Sequence, residues 1–271
     1  KEYACDPRFS DNLLTNAVKK NPTLDYIKHT IEVSRIIVST TASLATHTAI
    51  FDIKHFELAI IDEASQILEP NIVGLLAAHR NKKQIINKFI LIGDHKQLPA
   101  VVQQDSKESA SNSPLLEEIH LPNCANSLFE RLILTERAAQ RTDFIGILRK
   151  QGRMHPDIAA FPNAYFYARE QLECVPLEHQ MELKLPYNEE SEDAIDDFLK
   201  AHRMIFIPSK SCRQANISEK VNTEEARIVA DLVRRLHRQM GKTFDAQKSI
   251  GIIVPYRNQI AMIRKELELL H

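Results

Sequence analysis

The chain has 271 residues, 44% hydrophobic and 26% charged, enough for two ordinary globular cores. A net charge of -1 excludes a small basic nucleic-acid-binding module, so any nucleic-acid contact has to be local, in a groove. Cys5, Cys124, Cys174 and Cys212 form no C-x-x-C pair, which excludes a zinc ribbon and a disulfide framework. No apolar run approaches the ~20 residues of a membrane span and no signal peptide opens the chain; a reduced intracellular compartment, cytoplasmic or nuclear, is expected, with no membrane partner.

Residues 1 to 34 are polar and mostly helical in pattern, with a break at Asn21-Pro22-Thr23. Arg35-Ile-Ile-Val-Ser-Thr-Thr41 reads as a strand feeding a hydroxyl-rich turn. Ser39, Thr40 and Thr41 there are either phosphate donors or partners for strand-end backbone groups. Leu58-Ala-Ile-Ile-Asp-Glu-Ala-Ser65 then carries an apolar run into two adjacent carboxylates, Asp62 and Glu63, a place for a metal ion and a base. Phe89-Ile-Leu-Ile-Gly-Asp94 repeats the pattern, followed by the polar loop His95-Lys-Gln-Leu-Pro99. Continuous apolar runs of this kind are buried parallel strands, and ligands of open α/β sheets gather outside the carboxyl ends of the strands. Asp62, Glu63, Asp94 and Gln97 are therefore expected to line one crevice. A lone acid after a strand reads as a loop or helix cap; a doubled one beside a second, with an amide-bearing loop, does not.

Residues 103 to 126 are rich in Ser, Asn and acids and read as a surface loop or short-helix insertion, after which Ser127 to Leu134 restarts a helix. Residues 135 to 150 lead to the loop Gln151-Gly-Arg-Met-His-Pro156, where His155 and Pro156 open a helix before Asp157. The stretch 178 to 200, with Glu189-Glu-Ser-Glu-Asp193, reads as a solvated acidic insertion, and Met204 to Pro208 as a short strand. Asn222-Thr-Glu-Glu225 is an N-cap with a capping-box glutamate, opening a helix to about Met240 whose arginines Arg227, Arg234, Arg235 and Arg238 form a solvated face. Gly241-Lys242-Thr243 superficially suggests a phosphate-binding loop, but Leu236 stands where its first glycine is needed, and Gly241 is that helix's C-terminal residue. Ile250 to Val254 is a strand ending at Pro255 and Tyr256; Tyr256 either stacks on a base or caps the core, and Arg257 is the nearest cation.

Asp62-Glu-Ala-Ser-Gln66 resembles the Walker B box of superfamily I helicases, and Gly93-Asp-His-Lys-Gln-Leu-Pro99 resembles their motif III. Ser127-Leu-Phe-Glu-Arg-Leu132, Gln151-Gly-Arg-Met-His-Pro156, Phe161-Pro162 and Phe166-Tyr167 are similar to motif IV of the branch containing the nonsense-mediated-decay helicase, and Ile250 to Gln259 to a strand and loop of that branch's second motor domain. The segments occur in the family's order over residues 36 to 265. The resemblance implies an α/β chain of the P-loop NTPase class with RecA-like parallel sheets flanked by helices. It divides into two incomplete motor domains, 1–140 with the polar insertion and 141–271 with the acidic one. No P-loop and no motif VI are found, so an internal piece of a longer helicase, inactive alone, is expected.

The implied activity is ATP hydrolysis coupled to movement on single-stranded nucleic acid, DNA favoured over RNA. By resemblance Asp62 holds Mg²⁺, Glu63 activates the attacking water, Gln97 senses the γ-phosphate of ATP, and Arg153 is an arginine finger from the second domain. Ser39, Thr40, Thr41, Tyr256 and Arg257 are the implied nucleic-acid contacts. Gly152 departs from the family's pattern, which places a base-stacking aromatic there, so relaxed selectivity for adenine is expected. A helicase-derived scaffold without activity is the alternative, although such a protein is expected to lose Glu63, Gln97 or Arg153, and all are present. A metal-dependent nuclease would need further acids converging on Asp62.

Overall fold

The computed structural model describes residues 23–105, 107–182, 185–210 and 220–269; the expectations for residues 1 to 22, Cys5 among them, and for Cys212 lie outside them. The chain divides into two compact units, with the boundary between Gly146 and Ile147.

The first unit opens with helices α1 (Leu24–Val33), α2 (Thr41–Thr46) and α3 (Ile50–Ile53). Strand β1 (Phe56–Ile61) follows, and a 3-10 turn (Ala64–Gln66) leads to α4 (Glu69–Leu76). A two-stranded hairpin, β2 (His79–Arg80) and β3 (Lys83–Gln84), precedes β4 (Ile86–Leu91). β1 and β4 pair in parallel, from Phe56 opposite Ile86 to Ile61 opposite Leu91, with α4 as the crossover that parallel pairing requires. Helices α5 (Pro114–Glu118) and α6 (Leu128–Ala138) complete the unit. Its core gathers Phe51, Ile61, Ile72, Leu75, Ile86 and Leu128. Arg131 of α6 forks onto Glu69 of α4, Nε to Oε2 at 2.8 Å, and so fixes α6 beside the segment that leaves β1.

Three strand expectations are corrected in this unit. The second strand begins at Ile86 and ends at Leu91, earlier than the apolar run Phe89 to Ile92 suggests, because the ladder is set by pairing with β1. The strands are also only partly covered: Leu58 is 43% and Ile60 61% exposed, whereas Ile61 is buried. Arg35 to Thr41 joins no ladder among the described residues. Thr40 is instead the N-cap of α2, its hydroxyl accepting the Ser43 amide at 3.1 Å. The insertion at 103–126 does contain a short helix, α5.

In the second unit β5 (Lys150–Gln151) pairs in parallel with β6 (Glu173–Cys174) around α7 (Pro156–Tyr165). His155 caps α7, its Nδ1 accepting the Asp157 amide at 3.1 Å. Helices α8 (Glu178–Met181), α9 (Ala194–Ala201), α10 (Thr223–Met240) and α11 (Arg257–Glu268) follow. The capping of α10 is as expected on one side only. Asn222 Oδ1 accepts the amides of Glu224 and Glu225, but the Asn222 amide donates to Gln259 of α11 at 2.8 Å, not to Glu225; Glu225 accepts the Ser209 hydroxyl instead. Gly241 ends α10 at φ 51°, a left-handed backbone that favours glycine, so Gly241-Lys-Thr243 is a helix terminus. Met204 to Pro208 and Ile250 to Val254 join no ladder among the described residues, and Phe206 and Ile253 are 89% and 98% exposed.

Within the acidic stretch 178–200 Glu189, Glu190, Glu192 and Asp193 are exposed as expected, but Asp196 is buried, and Arg235 and Arg238 are not a solvated face. Asp196 of α9 has no accessible surface. Arg235 of α10 bonds Asp193 at 2.8 Å, Asp196 at 3.0 Å and Asp231 at 2.7 Å. Arg238 pairs with Asp196 and with Glu192 at 2.9 Å, and the amide of Glu192 and the side chain of Gln239 donate to the same carboxylate. Spacings of three on both helices, Asp193 with Asp196 and Arg235 with Arg238, put each pair on one face. The opposed faces then neutralise each other.

Candidate functional site

Two loops leave the carboxyl ends of β1 and β4 and are bonded to each other. The Ile92 amide donates to the Ile61 carbonyl and the Ala64 amide to the Ile92 carbonyl, both at 2.8 Å. The buried Ser65 hydroxyl accepts the Asp94 amide at 3.1 Å. The approach is close enough that a Cβ on Gly93 would lie 2.8 Å from the Ser65 nitrogen, so only glycine fits there. Asp62, Glu63, Asp94 and Gln97 are thereby brought into one pair of loops.

Asp62 and Glu63 are exposed. Asp62 Oδ1 accepts the Glu63 amide at 3.0 Å, leaving its second oxygen without a partner among the described residues. Glu63 has φ 51° and ψ 35°, a left-handed conformation that disfavours a residue with a Cβ by about 1–2 kcal/mol. That conformation turns the chain directly from the strand into the 3-10 turn, where the Gln66 amide bonds the Glu63 carbonyl at 2.9 Å and Gln66 Nε2 donates to Glu63 Oε2 at 3.1 Å. In the other loop Gln97 Nε2 donates to Asp94 Oδ2 at 3.0 Å and the Lys96 amide to Asp94 Oδ1. Each loop thus carries a carboxylate held by a glutamine three residues on. His95, tilted against Phe129 of α6, has its pKa lowered by burial and by the Arg137 charge, against the opposing effect of Glu130 and Asp94, which favours a neutral imidazole near pH 7.

Arg153 is in the second unit, exposed, on a loop built by amides. Gln151 Oε1 accepts the amides of Arg153 and Met154 at 2.9 and 2.6 Å, and Gln151 Nε2 donates to the Met154 carbonyl at 2.8 Å. The fully buried Gln180 donates to the carbonyls of Gln151 and Met154, both at 2.9 Å. A Cβ on Gly152 would meet only Leu177, at 3.6 Å, so the absence of a side chain there is not forced by crowding. Tyr256 and Arg257 also lie in the second unit, at the start of α11, both exposed; Lys220 sits 5.5 Å from the Tyr256 ring centre. Sequence reasoning missed Ser65, Gln66, Gln151 and Gln180 as supporting groups. The i, i+3 placement of Glu63 with Gln66 was the one available signal.

Two family profiles, each described as an AAA domain, match this chain, one over residues 14–105 and the other over 124–270, more than half of its length. The chain is 28% identical over 252 residues to the DNA polymerase alpha-associated DNA helicase A of Saccharomyces cerevisiae, an alignment covering 88% of the chain and 34% of that protein. It is 30% identical over 243 residues to the DNA replication ATP-dependent helicase/nuclease DNA2 of Xenopus laevis, covering 85% and 20%. With Helicase SEN1 of Saccharomyces cerevisiae the identity is 30% over 246 residues, covering 88% and 9%. The chain spans about a third or less of the length of these relatives.

Proposed function

Since the chain belongs to the superfamily I helicases with AAA domains, we propose that it forms the water-activating and sensing part of a protein that couples ATP hydrolysis to movement along a single nucleic-acid strand. DNA is favoured over RNA, because helicase A and the helicase/nuclease are named for DNA. Residues 1–140 and 141–271 are read as portions of its two motor domains. The observation that carries the reading is the bonded pair of strand-end loops holding Asp62, Glu63 and Gln97 together.

Hydrolysis of ATP needs a positioned water, a proton acceptor for it and positive charge on the transferred phosphoryl group. Glu63 supplies the acceptor: one oxygen is held by Gln66, and the other has no partner among the described residues. Asp62 fits Mg²⁺, since it offers one uncommitted oxygen and a single carboxylate suits an ion that keeps most of its water. Bound with ATP, the ion would neutralise charge on the β and γ oxygens. Gln97 reads the γ-phosphate by exchanging its bond to Asp94 for one to the nucleotide. Ser39, Thr41, Tyr256 and Arg257 are the nucleic-acid contacts of this reading; Thr40 retains only its hydroxyl proton for that purpose, because its oxygen already caps α2. An intracellular location, where ATP and nucleic acid meet, follows from the same reading.

Arg153 provides the positive charge. Arg153→Gln in the full-length protein is expected to lower kcat for nucleic-acid-stimulated hydrolysis by about 10³-fold or more, with little change in nucleotide affinity. Arg153→Lys recovers little of the loss, because an ammonium does not reproduce the planar fork. Stimulated turnover by Arg153→Gln at the wild-type rate removes the residue from this role, and a wild-type protein with no nucleic-acid-stimulated hydrolysis removes the function.

A further inference from the structure

The crossover from α4 to β4 contains six residues that the fold does not need. The Ile85 amide bonds the Ala78 carbonyl at 3.1 Å, and the Ile85 carbonyl accepts the Phe56 amide at 2.9 Å. The chain is therefore already back beside β1 at Ala78, and His79 to Gln84 project from it as a hairpin. All six are exposed.

The hairpin concentrates positive charge. Arg80, Lys82 and Lys83 lie within four residues, and none has a side-chain hydrogen bond or ion pair among the described residues. Its tip is Asn81 and Lys82, both left-handed at φ 50° and 63°. Asparagine is ordinary at the first of these positions and glycine at the second, so a lysine occupies the place where glycine would be easiest. Beside the hairpin is an open cleft of about 260 Å³ lined by Lys54, His55, Arg80, Asn81, Lys83 and Gln84, with Phe51 and Ile85 as its buried floor and no acid in its wall. Cationic side chains and amide donors match phosphate oxygens, and the lining exposes the His55 ring but no Phe, Tyr or Trp platform for stacked bases.

We propose that this hairpin and its cleft bind the phosphates of a nucleic-acid strand without regard to sequence. The contact lies at the amino ends of β1 and β4. It is separate from the Asp62 and Asp94 loops at their carboxyl ends, roughly 17 Å along the strands. It rests on the reading that the protein acts on nucleic acid and gives that reading a holding point outside the hydrolytic loops. The same cations would also meet the carboxylates of an acidic peptide, and a nucleic-acid strand is the occupant that agrees with the function reading.

The test uses the full-length protein and a triple variant, Arg80→Gln with Lys82→Gln and Lys83→Gln, with fluorescent single-stranded and duplex oligonucleotides titrated across a range of KCl. Each phosphate contact contributes about 0.7 to the slope of log K against log salt for single strands and about 0.9 for duplex. The triple variant is therefore expected to show a slope smaller by about 2 on single strands, with affinity at low salt about tenfold weaker. Arg80→Lys, which keeps the charge, is expected to retain the wild-type slope, and thermal melting of each variant reports its folding. An unchanged slope in a folded triple variant overturns the proposal while leaving the function reading intact. So does competition by a polyglutamate peptide as strong as that by an oligonucleotide of equal charge, which assigns the cleft to an acidic protein. Absence of nucleic-acid binding by the wild type overturns both.

Discussion

Glu63→Gln in the full-length protein is expected to reduce ATP hydrolysis by about 10²–10⁴-fold, the range for loss of a general base, while ATP affinity stays near wild type. The substituted amide keeps the size of the carboxylate, and its oxygen still accepts the Gln66 side chain now 3.1 Å from Oε2. The left-handed backbone at position 63 is as acceptable to glutamine as to glutamate. What is lost is the ability to take a proton from water. Single-turnover hydrolysis and nucleotide affinity measured on one preparation separate the two effects. Hydrolysis at the wild-type rate would show that the proton leaves by another route.

Acid should loosen the second unit through the cluster around Asp196. Burial raises the pKa of that carboxyl, but the Glu192 amide and the guanidinium groups of Arg238 and Arg235 outweigh it and hold the group well below the usual carboxylate range. Asp193 is lowered by its bond to Arg235 and by the Asp196 amide. Asp231 is lowered too, because its bonds to Arg234 and Arg235 overcome its burial. Carboxyls whose pKa falls on folding contribute stability that is complete above the unfolded value near 4 and is lost as pH drops through the folded values. Protection of α9 and α10 against hydrogen exchange is therefore expected to decline progressively below about pH 5. Asp196→Ala, which removes the buried partner of two guanidinium groups but leaves Arg235 with Asp193 and Asp231 and Arg238 with Glu192, is expected to destabilise the unit at pH 7 by less than the ~3 kcal/mol of a fully broken buried pair. The variant should also lose much of its acid sensitivity. A pH profile identical to wild type would assign the acid response to other carboxyls.

The loops at the carboxyl ends of β1 and β4 were legible because each is an apolar run closed by an acid, a pattern that gives the element and the location of the chemistry together. Helix α10 was legible for a similar reason, with apolar residues at helical spacing, an Asn start and a Gly end. The Asp196 cluster was not, because a run of acids looks the same whether it faces water or guanidinium groups; only the matched three-residue spacings on α9 and α10 distinguish the cases. Arg35 to Thr41, Met204 to Pro208 and Ile250 to Val254 have the composition of strands, but a strand also needs a neighbour to pair with, and local sequence does not supply one. The Gln180 support beneath the Arg153 loop left no trace in the sequence, since a single glutamine has no periodicity, and the loop it holds begins 29 positions earlier at Gln151.

The hairpin also bears on how readily such a protein can change. Closing a segment between paired residues carries an entropy that grows only with the logarithm of its length. Lengthening the Phe56 to Ile86 crossover from about 24 to about 30 residues therefore adds only ~0.2 kcal/mol. Six residues and three cations can be gained or lost at that point almost without thermodynamic consequence for the parallel pair, while a Cβ added at Gly93 would force the two strand-end loops apart. Variation is cheap at one end of the same two strands and nearly forbidden at the other.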